Sequence, residues 1–158
     1  MSNRKIVTPD MARGVAQACL CLHVQRAARA LARHFDDVFR PVDLTSGQFS
    51  LLMSLNRPGP TMAPTIGETA SFLAMDRTTL TAALKPLERR KLVAVKPDKD
   101  DRRSRRLELT PAGRAVLAKA YPLWCAAHGE IEAAVSPSGA GPMRGELARL
   151  VKLLERAA

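Results

Sequence analysis

The chain has 158 residues, 46% of them hydrophobic, and carries a formal net charge of +10. That length supports one compact domain, or a compact lobe with a helical appendage, but not two large independent domains. The charge selects polyanions as partners, with nucleic acid, an anionic membrane surface and acidic proteins as the classes to separate. Between Lys85 and Arg106 ten basic residues stand against four acidic ones, so six of the ten net charges fall in one short stretch.

A membrane span needs about 18 consecutive apolar residues, and the sequence has no such run. The polar start Met1-Ser-Asn-Arg-Lys lacks the apolar core of a secretory signal, so the expected location is the cytoplasm with no membrane partner. Cys19, Cys21 and Cys125 are too few and too unevenly placed for a disulfide framework and are expected as reduced thiols.

In chain order, Thr8-Pro9 opens a long helical pattern whose apolar positions Leu20, Val24, Ala27, Leu31, Phe35, Val38 and Val42 step by three or four. Pro41 and Asp43 close it. At 1.5 Å per residue, one helix of this length would exceed about 40 Å, more than a small domain needs for its own core, and such an arm is expected to pack on a second chain. Thr45-x-x-Gln48 forms a capping box ahead of Phe49, Leu52 and Met53, and the run from Asn56 to Pro60 ends that helix. A second box, Thr65-x-x-Glu68, starts a short helix with Ile66, Ala70 and Leu73 inward. After the tight Ala74-Met75 connection, Asp76 caps a further helix carrying Leu80, Leu84 and Leu87. Two short helices so joined make a helix-turn-helix. Pro86 removes an amide donor from the second of them and is expected to kink or loosen its later turns.

From Leu92 the period changes to two. Val93 and Val95 alternate with Ala94 and Lys96, and Leu107 and Leu109 alternate with Arg106 and Glu108, which predicts a hairpin with a polar tip over 97–105. Thr110-Pro111 then caps and opens a helix running to about Val135. The breaker cluster 136–142 precedes a last helix with Met143, Leu147, Leu150, Val151 and Leu154 on one face. The fold class is therefore mainly α with a small β-hairpin wing. Residues 1–42 and 111–158 are expected as dimerisation helices around a winged helix-turn-helix lobe at 43–110.

A helix-turn-helix followed directly by a basic-tipped hairpin places its second helix in the major groove and its tip on the flanking backbone or minor groove. Arg77, Thr78, Thr79 and Thr81 are the candidates to face bases. Arg77 could hold a guanine bidentately, and Thr78 or Thr79 could instead satisfy the amides of the helix start. Lys85, Arg89, Lys99, Arg102, Arg103 and Arg105 are the candidates for phosphate or minor groove.

Asp43-Leu-Thr-Ser-Gly-Gln-Phe-Ser-Leu-Leu, Met75-Asp-Arg-Thr-Thr-Leu-Thr, Leu87-Glu-Arg-Arg-Lys-Leu-Val and Asp100-Asp-Arg-Arg-Ser-Arg-Arg-Leu-Glu-Leu-Thr-Pro-Ala-Gly together resemble, in this order, the signatures of the MarR family. The resemblance covers about Leu20 to Leu117. It implies a homodimeric DNA-binding regulator, usually a repressor, whose terminal helices interlock across a two-fold axis. By the same resemblance Arg103 is the wing arginine that approaches the minor groove, and Asp76 is the acid that pairs with it and supports the wing. Pro86 and Lys91, the latter in place of a glycine common after the recognition helix, depart from the family pattern. Amphipathic helices at both ends independently favour a dimer and an inverted-repeat site with half-sites about 10 bp apart.

The resemblance also suggests two kinds of switch. One is a small aromatic or phenolic ligand in the crevice between the lobe and the dimer helices, with Phe35, Phe39 and Trp124 as lining candidates, unless these rings are core or interface. The other is thiol chemistry. Cys21 stands where OhrR-type peroxide sensors carry a reactive cysteine, and Cys125 lies on the helix that holds their resolving thiol. The assisting tyrosines of that subgroup are replaced by Gln25 and Phe35, and inert buried thiols are the alternative reading. Cys19 and His23 share a helix face, but no further ligands are spaced to complete a metal site. His34 and His128 have no nameable partner. No phosphate loop, triad or zinc-ligand motif points to catalysis, and no cofactor is implied. A non-specific architectural or RNA-binding protein would share the charge, yet RNA modules expose stacking aromatics and aromatics are only 4% here.

Overall fold

The computed structural model describes residues 7–56, 62–101, 103–135 and 139–155. Its helices are α1 Pro9–Ala18, α2 Leu20–Val38, α3 Ser46–Leu55, α4 Ile66–Phe72, α5 Arg77–Arg89, α6 Pro111–Val135 and α7 Gly141–Glu155, with a 3-10 turn at Arg40–Val42. Strands β1 Val93–Pro97 and β2 Arg105–Leu109 pair antiparallel with Val95 opposite Leu107. The chain is therefore mainly helical with one hairpin, as its periodicities predict.

The single long N-terminal helix is corrected. The backbone leaves the helix at Cys19 (φ −73°, ψ 102°), whose sulfur accepts from the Leu22 amide at 3.4 Å and so caps α2. The apolar stripe read from the sequence begins at Leu20, just after this break, so it follows α2 alone and could not reveal where the preceding helix ends. The expected loosening after Pro86 is also absent: α5 stays helical to Arg89, and the carbonyl of Pro86 accepts from the Arg90 amide at 3.1 Å. Proline removes one donor, but the packing of Leu84 and Leu87 holds the last turn.

Both predicted capping boxes form, at Thr45 with Gln48 and at Thr65 with Glu68. The core gathers Phe39, Leu44, Leu52, Leu80, Leu84, Leu87, Leu107, Leu109, Leu117 and Ala120 in one apolar cluster shared by α3, α5, the hairpin and α6, with the partly buried Phe35 and Val38 of α2 packed against it. In contrast, α1 and α7 bury no residue, and Met11, Val15, Met143, Leu147, Val151 and Leu154 are exposed in the protomer.

Two helix ends close by the same device. After α4, the amide of Met75 donates to the Ala70 carbonyl and that of Ala74 to the Ser71 carbonyl. After α5, the amide of Leu92 donates to Leu87 and that of Lys91 to Glu88. This is the Schellman pattern, which requires a left-handed residue, and Ala74 (φ 51°) and Lys91 (φ 56°) supply it without being glycine. Each carries a Cβ where a Cβ is disfavoured. Replacing Lys91, whose side chain is exposed, by glycine removes that strain. Lys91→Gly is expected to raise the unfolding free energy by about 1 kcal/mol in urea melts, and a loss of stability would show that its backbone is not strained.

Candidate nucleic-acid interface

The rotation of α5 is set from inside. Leu80, Leu84 and Leu87 are fully buried, and at 100° per residue the opposite line of the helix carries Thr78, Ala82, Lys85 and Arg89, all exposed. Arg77 and Thr81 flank this line. The three threonines are not equivalent. Thr79 is committed to the helix start, its amide donating to Asp76 Oδ1 at 2.8 Å and its hydroxyl to Oδ2 at 2.5 Å. The hydroxyl of the exposed Thr81 donates to the Arg77 carbonyl at 2.7 Å. Of these three, only Thr78 has no hydrogen-bond partner for its hydroxyl among the described residues.

Asp76 is the N-cap of α5, and its carboxyl is held below the ordinary value of 3.8 by the Thr79 hydroxyl and then the Thr79 amide. No ion pair joins it to Arg103 among the described residues, so the wing support expected at Asp76 is found elsewhere. Arg106 forms an ion pair with the buried Asp98 carboxylate, whose side chain is 3% exposed, and Arg106 Nη1 donates to the Ala63 carbonyl at 2.6 Å. The second Asp98 oxygen accepts the amides of Asp100 at 2.7 Å and Asp101 at 3.1 Å. Leu107 donates to the Pro64 carbonyl at 2.8 Å, so the hairpin is tied to the segment that leads into α4.

Asp101 shapes the tip. Its carboxylate accepts from the Arg103 amide and the Ser104 hydroxyl, each at 2.9 Å. Lys99, Arg103 and Arg105 are exposed, while Arg102 lies outside the described residues. Sequence reading missed Asp98 and Arg106. The available signal was the presence of acids inside a basic tip, where phosphate would repel them unless amides and an arginine neutralised them internally. Arg90 was missed as well. Its guanidinium donates to the carbonyls of Asp43 and, at 3.4 Å, Val42, and lies 3.4 Å from the Asp43 carboxylate, fixing the C-terminal end of α5 to the end of the N-terminal arm.

The switch candidates occupy one side of the same core. Phe35, Phe39, Phe49, Trp124 and His128 form successive stacked pairs with centroids 4.4–6.5 Å apart. Phe39 is fully buried, a core residue in the protomer, whereas Phe35 and Trp124 are half-buried at the cluster's edge. His128 does have partners: it stacks on Trp124 and lies 3.3 Å from Glu132, which also pairs with Arg144 of α7. His34 meets Phe35 edge-on. Cys21 and Cys125 are both exposed, so the inert-burial reading fails for the isolated protomer. Cys21 accepts from Gln25 at 3.1 Å, and Tyr121, whose pKa is raised by its hydrogen bond to Cys125, stands beside the second thiol. His23 contacts the Gln17 carbonyl at 3.0 Å while Cys19 is used as a cap, and no metal-ligating cluster occurs among the described residues.

Residues 44–104 match the model of the MarR family, and the fold resembles the transcriptional regulator MosR of M. tuberculosis solved with DNA. That likeness has 37% identity and a TM-score of 0.78, covering 88% of this chain and 98% of MosR. The chain belongs to the MarR family.

This MarR-family regulator is also similar to the repressor CouR bound to a 23-mer DNA duplex (30% identity, TM-score 0.69, 89% of this chain and 96% of CouR). CouR has been crystallised with p-coumaroyl-CoA too (27% identity, TM-score 0.74, 87% and 95% covered). Over 89 residues this chain is 38% identical to the transcriptional activatory protein BadR of Rhodopseudomonas palustris, spanning 56% of this chain and 51% of BadR. The chain thus spans about half the length of the curated relatives it matches. It is a winged-helix member of a family of DNA-binding transcription regulators, and no described helix is long and apolar enough to cross a membrane.

The Asp98 clasp has a measurable consequence. Its carboxyl is held below 3.8, chiefly by the Asp100 and Asp101 amides and then by Arg106. A depressed native pKa makes the contribution complete above the unfolded value and lost as pH falls through the native one. Asp98→Asn is expected to speed hydrogen exchange at the Asp100 and Asp101 amides near neutral pH while the helices keep their protection. In the native protein the same loosening should begin only in acid. Unchanged exchange in the variant would show that the wing is held by something else.

Proposed function

We propose that the chain is a homodimeric, sequence-specific DNA-binding regulator, a repressor released from a palindromic operator by a small-molecule effector. The observation that carries the reading is the exposed line Thr78, Ala82, Lys85, Arg89 on α5, flanked by Arg77, Thr81 and the basic wing residues Lys99, Arg103 and Arg105. Thr78 faces a base edge with a free hydroxyl, and Thr81 offers a methyl group suited to thymine. Lys85, Arg89 and the wing arginines, Arg102 included, neutralise phosphates or enter the minor groove. Asp76 and Asp98 act behind them, the first by starting α5 and the second by holding the wing.

Dimerisation is supported by the exposed apolar residues of α1 and α7, those of α7 lying beside Leu20 at the start of α2. Residues 1–42 and 111–158 supply these faces and 43–110 supply the lobe, although Phe39, Leu117 and Ala120 also complete the lobe's core. The effector is an aromatic or phenolic compound lodged beside the half-buried Phe35 and Trp124. The complex of the related CouR with p-coumaroyl-CoA supports that chemical class. The site of action is the cytoplasm, and catalysis is not part of the reading.

A second reading, peroxide sensing, is favoured by one observation: Cys21 and Cys125 are exposed, with polar partners in Gln25 and Tyr121. An organic hydroperoxide would oxidise the Cys21 thiolate to a sulfenic acid, releasing an alcohol. Attack by Cys125 would then form a disulfide and release water.

Selection of a duplex from a randomised pool is expected to return an inverted repeat bound by two chains. Arg103→Ala should weaken binding to all sequences and lower the salt slope by about 1. Leu147→Glu should shift sedimentation towards monomer. Selection of no preferred sequence would favour an architectural role. Loss of binding on treatment with organic hydroperoxide, abolished in Cys21→Ser, would favour the second reading over a ligand.

A further inference from the structure

Gly67 is the second residue of α4, and its backbone is not in the left-handed region. Alanine would serve a helix better there, so the reason for glycine lies in what a side chain would strike. A Cβ at Gly67 would stand 2.7 Å from Arg77 Nη2 and 3.5 Å from both Cζ and Nε. Three atoms of one guanidinium therefore lie over the Gly67 backbone. Arg77 starts on α5 but reaches back across the helix-turn-helix, placing its charge beside the first turn of α4. It sits to one side of the Thr78, Lys85, Arg89 line, it is exposed, and no carboxylate pairs with it among the described residues.

A guanidinium that reads guanine must extend from its helix towards a base edge with both donors free in one plane. One laid on the preceding helix points instead to the surface where the first helix of the motif crosses the DNA backbone. We propose that Gly67 is a positioning residue that seats the Arg77 guanidinium on α4, and that Arg77 from this seat grips a backbone phosphate rather than a base. The assignment rests on the reading that α5 enters the major groove. It differs from that reading in removing Arg77 from the base-facing set and in giving Gly67 a role. The clamp would span both helices of the motif and fix their depth in the groove, leaving base choice to Thr78 and Thr81.

The test is a double-mutant cycle on the full chain, using a duplex selected by the wild-type protein, with affinity measured across a salt series and on single-base variants of the duplex. Arg77→Ala should weaken binding to every variant by a similar factor, on the order of ten, and lower the salt slope by about 0.9. Gly67→Ala should melt at the same temperature or higher, yet lose much of that affinity. In the Arg77→Ala background, Gly67→Ala should cost nothing more. Full affinity of Gly67→Ala, or losses that simply add, would overturn the seat. Relaxed preference at one base position with an unchanged salt slope in Arg77→Ala would overturn the phosphate grip. Failure of the wild-type protein to bind any duplex would instead remove the parent reading, and the clamp with it, so the two failures are distinguishable.

Discussion

Burial of Leu80, Leu84 and Leu87 against the shared core is the constraint from which the proposed DNA-facing surface follows. Three leucines on one stripe fix the rotation of α5, and helical geometry then decides, without further contacts, that Thr78, Ala82, Lys85 and Arg89 point the other way. The same stripe sets the two joints of α5. Asp76 starts the helix with Thr79, and Arg90 anchors its end to the carbonyls of Val42 and Asp43. A helix held by its buried face and both ends presents its outer residues as a rigid set, which base discrimination requires.

The wing solves a different problem. A hairpin dense in lysine and arginine repels itself before it meets any phosphate, and two strands alone are marginal in water. Here two acids of the tip serve as structural groups, Asp98 buried and Asp101 exposed but bonded within the loop. Asp98 gathers two amides and Arg106, Asp101 gathers an amide and a hydroxyl, and Lys96 pairs with Glu108 at 2.5 Å across the strands. Lys99, Arg103 and Arg105 are left outward. Asp98 and Asp101 thus organise the hairpin while these basic side chains stay unpaired with them.

Most of the architecture was legible because the signals are local. Capping boxes at Thr45 and Thr65, the aspartate at residue 76 and the change of period at Leu92 each specify a boundary within a few residues. What escaped is non-local or chemically unusual. A thiol is not a conventional cap, so nothing in the sequence marked Cys19 as the start of a new helix. The Asp98–Arg106 and Arg90–Asp43 contacts join residues whose proximity exists only after the lobe has folded. Among identical threonines, sequence could nominate all three, but only side-chain geometry separated the capping Thr79 from the free Thr78.

The arms and the lobe are not mechanically separate. Rings from α2 (Phe35), the chain just after it (Phe39), α3 (Phe49) and α6 (Trp124, His128) form one stacked series, and its last member meets Glu132, which Arg144 of α7 also holds. α3 packs directly on α5. A close-packed interior transmits displacement rather than absorbing it. Any shift of α2 against α6, whether from a ligand beside Trp124 or from a partner chain on α1 and α7, must therefore restack these rings or move α3, and with α3 the helix that carries Thr78. Phe35 and Trp124 are the half-buried rings of that series, so the aromatic effector proposed beside them would act through the packing rather than by touching the proposed DNA-facing residues.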